Sequence, residues 1–89
     1  MTYFVYIIYS SSSDIYYKGF TENISARLDY HNSNMSQYTA HKGPWELVYY
    51  EEFESKAEAL KREKQLKKQN RMYLLSLIKM RNFRAGNLG

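Results

Sequence analysis

The stretch Tyr3 to Tyr9, YFVYIIY, is β-branched or aromatic on both alternating sets of side chains. A strand with one wet face would alternate apolar with polar residues, so this one is expected to be covered on both faces. In a chain of 89 residues that requirement leaves few architectures. A small sheet must hold the strand and helices must dress it, around one modest core that buries little over ~60% of the unfolded surface. The stretch is too short for the ~20 apolar residues of a bilayer crossing, and it lacks the basic start and small-residue cleavage site of a secretory leader.

The rest of the pattern fills in that sheet. SSSD at 11–14 is a turn signal, and Ile15 to Phe20 reads as a second strand, so the two strands form an antiparallel hairpin. Asn23 can cap a helix from Ile24 to about Asn32. A polar loop ending in Gly43-Pro44 precedes a third strand, Trp45 to Phe53. There Trp45, Leu47, Tyr49 and Phe53 alternate with Glu46, Val48, Tyr50 and Glu52, which predicts one mostly apolar face. Ser55 and Glu58 form a capping box for a helix to about Gln69, and Asn70 can cap a last helix through Leu74, Leu77 and Ile78. The expected fold class is α+β, ordered β-β-α-β-α-α, with a three-stranded antiparallel sheet. A single domain is expected over 1–82, with a flexible tail over 83–89.

Composition narrows the chemistry. The chain has no cysteine, which removes disulfides and thiolate metal sites and fits a reducing compartment, so a cytoplasmic protein is expected. Ten tyrosines and one tryptophan bring hydroxyl and N–H groups close to the core, and each will need a partner. Charge is unevenly spread. Residues 1–54 carry three Lys/Arg against seven Asp/Glu, whereas residues 55–84 carry ten against two. The second half is where a polyanion would dock.

Three places break the expected patterns. Glycine inside a strand gives up packing and favours close approach of another group, so Gly19 marks a backbone left open. On the first helix, Ile24, Arg27, Leu28 and His31 fall within an arc of about 100°, so an arginine and a histidine flank the apolar stripe. On the second helix, Ala59, Leu60, Leu66 and Asn70 define a stripe whose centre is Glu63. A carboxylate pointing toward a core must meet a cation, a donor network or a metal, and Arg27 or Lys18 are the candidate ion-pair partners.

The ordered set Phe4-Val5-Tyr6, Tyr17-Lys18-Gly19, Arg27, His31 and Glu63 resembles the GIY-YIG nuclease superfamily. The stretches KGFTENISARLDYHN and YYEEFESKAEALKREKQLKK, with the pair Tyr38-Thr39, are similar to its small stand-alone bacterial branch. That branch is akin to the nuclease module of the excision-repair endonuclease that makes the 3′ incision. The likeness covers roughly residues 2–78. Phe-Val stands in place of Gly-Ile, Lys18 in place of the middle isoleucine, and Phe20 where the repair nuclease has a lysine.

The resemblance implies hydrolysis of a nucleic-acid phosphodiester with one divalent ion, Mg2+ or Mn2+. By the same resemblance, Glu63 binds the metal, Arg27 holds the scissile phosphate, and one of Tyr6 and Tyr17 activates or positions the attacking water. His31 receives or relays a proton, and Gly19 permits close approach. Asn70 is a candidate for an asparagine found downstream of the glutamate in some relatives. Lys18, Lys61, Arg62, Lys64, Lys67 and Lys68 are expected to contact phosphates without reading bases, DNA more than RNA, leaving sequence specificity to a protein partner. The alternative is a non-catalytic nucleic-acid-binding module that keeps the fold. A third reading makes the acidic residues Glu51, Glu52 and Glu54 a protein-contact surface.

Overall fold

The computed structural model describes the backbone of residues 1–88 and the side chains of residues 1–80. Its elements are β1 (Tyr3–Ser10), β2 (Ile15–Thr21), α1 (Ile24–Asn32), β3 (Glu46–Phe53), α2 (Lys56–Lys67) and α3 (Arg71–Leu88). The α+β order matches the expected one, element for element. The segment 83–89, read from the sequence as a flexible tail, lies outside the residues whose side chains are described.

The strand order is β2-β1-β3, with both pairings antiparallel, so the doubly apolar strand is the central one. Its two side-chain sets build two cores. Val5 and Ile7 pack with Ala59 and Leu66 of α2 and Leu74 and Ile78 of α3. Tyr6 and Ile8 pack with Trp45 on the other face, where Leu28 of α1 closes over them. Full burial on both sides is the reason this strand has no polar face.

β3 departs from strict alternation. Ile7 pairs with Tyr49 but Ile8 pairs with Leu47, so Val48 is an extra residue in a β-bulge. The bulge turns Leu47 to the Tyr6 face and leaves Tyr49 and Phe53 on the Val5 face, against the expectation that these three share one face. Tyr50 joins the Tyr6 face for the same reason. Glu51 also faces inward: Arg62 Nε–H and Nη2–H donate to its two carboxylate oxygens at 2.9 and 3.0 Å, and the Tyr49 hydroxyl donates to one of them. The acidic surface imagined from Glu51, Glu52 and Glu54 therefore loses its first member to the ion pair with Arg62.

Both expected caps of the later helices form. Ser55 Oγ accepts from the Glu58 N–H at 3.3 Å, and Asn70 Oδ1 accepts from the Tyr73 N–H at 3.0 Å. Asn70 is thus occupied as a helix cap. At the far end of the hairpin, Asp14 takes the positive φ of the β1–β2 turn and accepts hydrogen bonds from Tyr9 and Arg71, tying the start of α3 to the turn. No helix among the described residues is long and apolar enough to cross a membrane.

Candidate active site

The hairpin sets the floor of the site. Tyr6 lies directly opposite Gly19, while Tyr17 lies opposite Ile8 and so is diagonal to Tyr6. Gly19 is buried, and a methyl group there would come within 2.5 Å of Tyr6 Cζ and 2.9 Å of its Cε1. The tyrosine ring lies across the glycine and occupies the volume that any side chain would need. Period-two alternation puts Lys18 on the opposite face of β2, paired with Ile7 on the α2 side.

Helix α1 supplies the wall. Asn23 Oδ1 accepts from the Ala26 N–H at 3.1 Å, which starts the helix in the register that turns Arg27, Leu28 and His31 toward the sheet. His31 is buried, with Nε2 2.8 Å from the Tyr6 hydroxyl and Nδ1 2.8 Å from the Thr39 hydroxyl. The rings of Tyr17, Tyr30 and Tyr6 surround it, at centroid separations of 5.0, 5.7 and 5.9 Å. Burial in this aromatic box, and next the positive charge of Arg27, push the imidazole down to about 4. His31 is uncharged at neutral pH.

Arg27 Nε–H donates to the Tyr6 hydroxyl at 3.4 Å, and its guanidinium lies 4.5 Å from the Tyr30 ring centroid. Cation–π contact holds the group flat, and its terminal nitrogens have no protein partner among the described residues. Burial raises the Tyr6 phenol above the ordinary tyrosine value. The Arg27 hydrogen bond and charge oppose that rise, and the charges of Tyr17 and Glu63 add to it. Glu63 is therefore in electrostatic reach of the Tyr6 oxygen, although the two share no hydrogen bond.

Glu63 lies on the flank of α2, and its charge is felt at the Tyr6 phenol. Ala59 and Leu66 are fully buried while Leu60 is 41% exposed, so the buried face is rotated by about 50° from the stripe that centres on Glu63. The carboxylate is partly exposed and pairs with Lys67 at 3.5 Å. This is an i,i+4 surface bridge, in place of the expected partner Arg27 or Lys18. The rotation also sorts the basic residues. Lys67 sits next to Glu63, Lys64 is farther around the helix, and Lys61 and Lys68 lie on its outer side. Arg62 falls on the other flank and is held by Glu51, so its guanidinium is engaged within the protein and not presented to a phosphate.

The donor set suits one particular kind of metal binding. Among the described residues, no group of three or more His, Cys, Asp or Glu could hold an ion. Magnesium does not need one, since it keeps several waters and is bound by one or two carboxylates plus substrate phosphates. Glu63, a hard oxygen ligand whose side chain is 19% exposed, fits an ion shared with a nucleic acid.

Thr39 is the member of this constellation that residue patterns do not single out as functional. It lies eight positions after His31, beyond any helical spacing, and meets the ring only because the loop folds back. Trp45 locks that loop. Its indole N–H donates to the Thr39 carbonyl at 3.1 Å, and the Asn32 side chain both accepts from the Trp45 N–H and donates to the Trp45 carbonyl, at 2.7 and 3.1 Å.

With this geometry established, comparison with known proteins is direct. The family model for the GIY-YIG catalytic domain matches residues 2–74. A UPF0213 protein of Staphylococcus aureus is 41% identical over 81 residues, covering 90% of this chain and 98% of that protein. The solution NMR structure of a UPF0213 protein from Bacillus halodurans superposes with a TM-score of 0.58 at 31% identity, covering 90% of this chain and 85% of that one. The match spans all three strands, α1 and α2, and the positions Tyr6, Tyr17, Gly19, Arg27, His31 and Glu63 all fall inside it. The chain is a small stand-alone member of the GIY-YIG family.

Proposed function

We propose that this protein is an endonuclease that hydrolyses nucleic-acid phosphodiester bonds with little sequence specificity, using one Mg2+ or Mn2+ ion, in DNA repair or processing. The observation that carries this reading is the meeting of Tyr6, Tyr17, Arg27 and His31 around one phenol oxygen, with Glu63 in electrostatic reach of it. A packing role alone would not require, beside a buried tyrosine–histidine pair, an arginine whose terminal nitrogens have no partner among the described residues.

Each residue has a definite task. The terminal nitrogens of Arg27 hold the non-bridging oxygens of the scissile phosphate and offset charge that grows on them. Glu63 holds the divalent ion, which when bound supplies Lewis-acid polarisation of a phosphate oxygen. Tyr6 and Tyr17 orient the attacking water, and the nearby Arg27 cation favours the ionised phenol needed to accept its proton. His31 fixes the Tyr6 hydroxyl. The aromatic box keeps bulk water from this inner side of the pair. Lys67 and then Lys64 bind flanking phosphates, a contact that gives affinity without sequence readout, so a protein partner supplies any specificity. DNA is favoured over RNA as substrate, and the lack of cysteine supports a cytoplasmic setting.

The test is incubation of purified protein with labelled single-stranded, duplex and branched DNA and with RNA, with and without Mg2+ or Mn2+. Metal-dependent cutting of at least one substrate is expected. Salt-sensitive binding with no cutting under any of these conditions would replace the nuclease with the binding module.

A further inference from the structure

Nine of the ten tyrosines are explained by their packing: each is buried or half-buried, and each touches another aromatic ring or shares a side-chain hydrogen bond. Tyr38 differs from all of them. It is 72% exposed, and among the described residues it has no ring, charge or hydrogen-bond partner. The loop that carries it is nevertheless pinned. The Ala40 N–H donates to the Ser36 carbonyl at 2.9 Å, the His41 N–H donates to Asn34 Oδ1 at 2.9 Å, and the Thr39 carbonyl accepts from Trp45 Nε1–H at 3.1 Å and from the Lys42 N–H at 3.2 Å. From the hairpin turn, the Ser13 and Ser12 hydroxyls donate to the Lys42 and Gly43 carbonyls at 3.2 and 3.0 Å. A ring held out by a fixed backbone can be contacted at little further cost in ordering.

Tyr38 also stands at the rim of the candidate site. Its chain neighbour Thr39 is buried with its hydroxyl 2.8 Å from His31 Nδ1, and His31 Nε2 is 2.8 Å from the Tyr6 hydroxyl. Adding one Cα–Cα step and the covalent lengths to that path keeps the Tyr38 Cα within about 14 Å of the Tyr6 oxygen, or about four nucleotides at ~3.4 Å each. The surrounding charge suits a polyanion. Residues 33–45 carry the exposed Lys42 and no Asp or Glu, in a half of the chain that has seven acidic residues. We propose that Tyr38 is a stacking platform for an unpaired nucleobase lying within about four nucleotides of the cut phosphate. Every base has a π-face, so the contact adds affinity without reading sequence. A base inside a continuous duplex is already stacked on its neighbours and cannot present that face, so the contact selects substrates with an unpaired segment.

The position of the base relative to a cut rests on the nuclease reading, but the stacking contact does not, and binding without metal tests it alone. Fluorescence anisotropy in EDTA, with labelled single-stranded DNA of mixed sequence and with the same strand annealed into a blunt duplex, gives Kd for each. Tyr38→Ala should raise Kd for the single strand at least about fivefold, Tyr38→Phe should keep it within about twofold of wild type, and duplex binding should change less than about twofold in both. In Tyr38→Trp the single strand should quench the emission of the new indole, a sign of direct contact, whereas the buried Trp45 of the wild type should show no such change. Equal single-strand affinity for wild type and Tyr38→Ala, an equal loss on the duplex, or an unquenched Tyr38→Trp would each overturn the proposal. A wild-type protein that shows this Tyr38-dependent binding but cuts nothing when Mg2+ or Mn2+ is added would overturn the nuclease reading and leave the stacking contact standing.

Discussion

The Tyr6 ring sits where a side chain on Gly19 would be, so a single methyl group tests how tightly the phenol is held. In Gly19→Ala the new Cβ overlaps a ring fixed on its other side by His31 and Arg27. Overpacking of this kind costs about 1–3 kcal/mol. Urea unfolding should report a loss in that range, and cleavage should fall much further than the loss of folded protein explains. A variant as active and as stable as wild type would show that Tyr6 has room to move. Residues at this scale differ in how far they can be read from sequence. Gly19 is legible because glycine is anomalous in a strand, and Arg27 and His31 because they interrupt an apolar helical stripe. Thr39 enters the sequence reading only as half of the Tyr38-Thr39 pair, with no role attached, until the fold brings it to His31.

Among the elements, α2 carries both the proposed metal ligand and five of the thirteen Lys/Arg residues, and its rotation about its own axis ranks the lysines. Lys67 is about 40° around the helix from Glu63, Lys64 about 100°, and Lys68 and Lys61 about 140° and 160°. Replacing each by alanine should weaken DNA binding in that order. Lys67→Ala should reduce the slope of log K against log salt by about 0.9, the value for one lost duplex phosphate contact, whereas Lys61→Ala should barely change it. Fluorescence anisotropy across a salt series measures this, and equal effects at all four positions would contradict the ranking. The orientation of α2 was hard to read because Leu60 is large and apolar yet 41% exposed, while the small Ala59 is fully buried and marks the true contact. The bulge at Val48 escapes a sequence reading for a related reason. One extra residue reverses the alternation for the rest of the strand, and no glycine announces it. Element order and caps were more legible because they rest on local signals, such as Asn23, Ser55 and Asn70.

For the whole molecule, the buried histidine links stability to pH. His31 stays neutral when folded down to about 4, whereas an unfolded histidine binds a proton below its ordinary value of 6.5. The unfolded state therefore holds more protons between about 4 and 6.5, and its contribution to stability is complete above that window and lost as pH falls through it. A depression of this size corresponds to roughly 3 kcal/mol. Urea midpoints of wild type and His31→Gln at pH 7 and pH 4.5 isolate the effect from the carboxylates common to both. The wild-type protein should lose the larger share on acidification, and parallel losses would contradict a buried neutral His31.

The arrangement as a whole uses a central strand to serve two cores and one reaction centre. Its even-numbered residues place Tyr6 beneath α1, and its odd-numbered residues seat α2, which carries Glu63, whose charge is felt at the same phenol. The most direct test of the central claim is single-turnover cleavage of labelled DNA as a function of Mg2+ concentration, for wild type and Glu63→Ala purified identically. The wild-type rate should rise and saturate with Mg2+, and Glu63→Ala should be slower by at least about a hundredfold at every concentration, the scale of losing one electrostatic contributor to a reaction centre. Equal rates for the two proteins would contradict the assignment of Glu63 and of the site built around it.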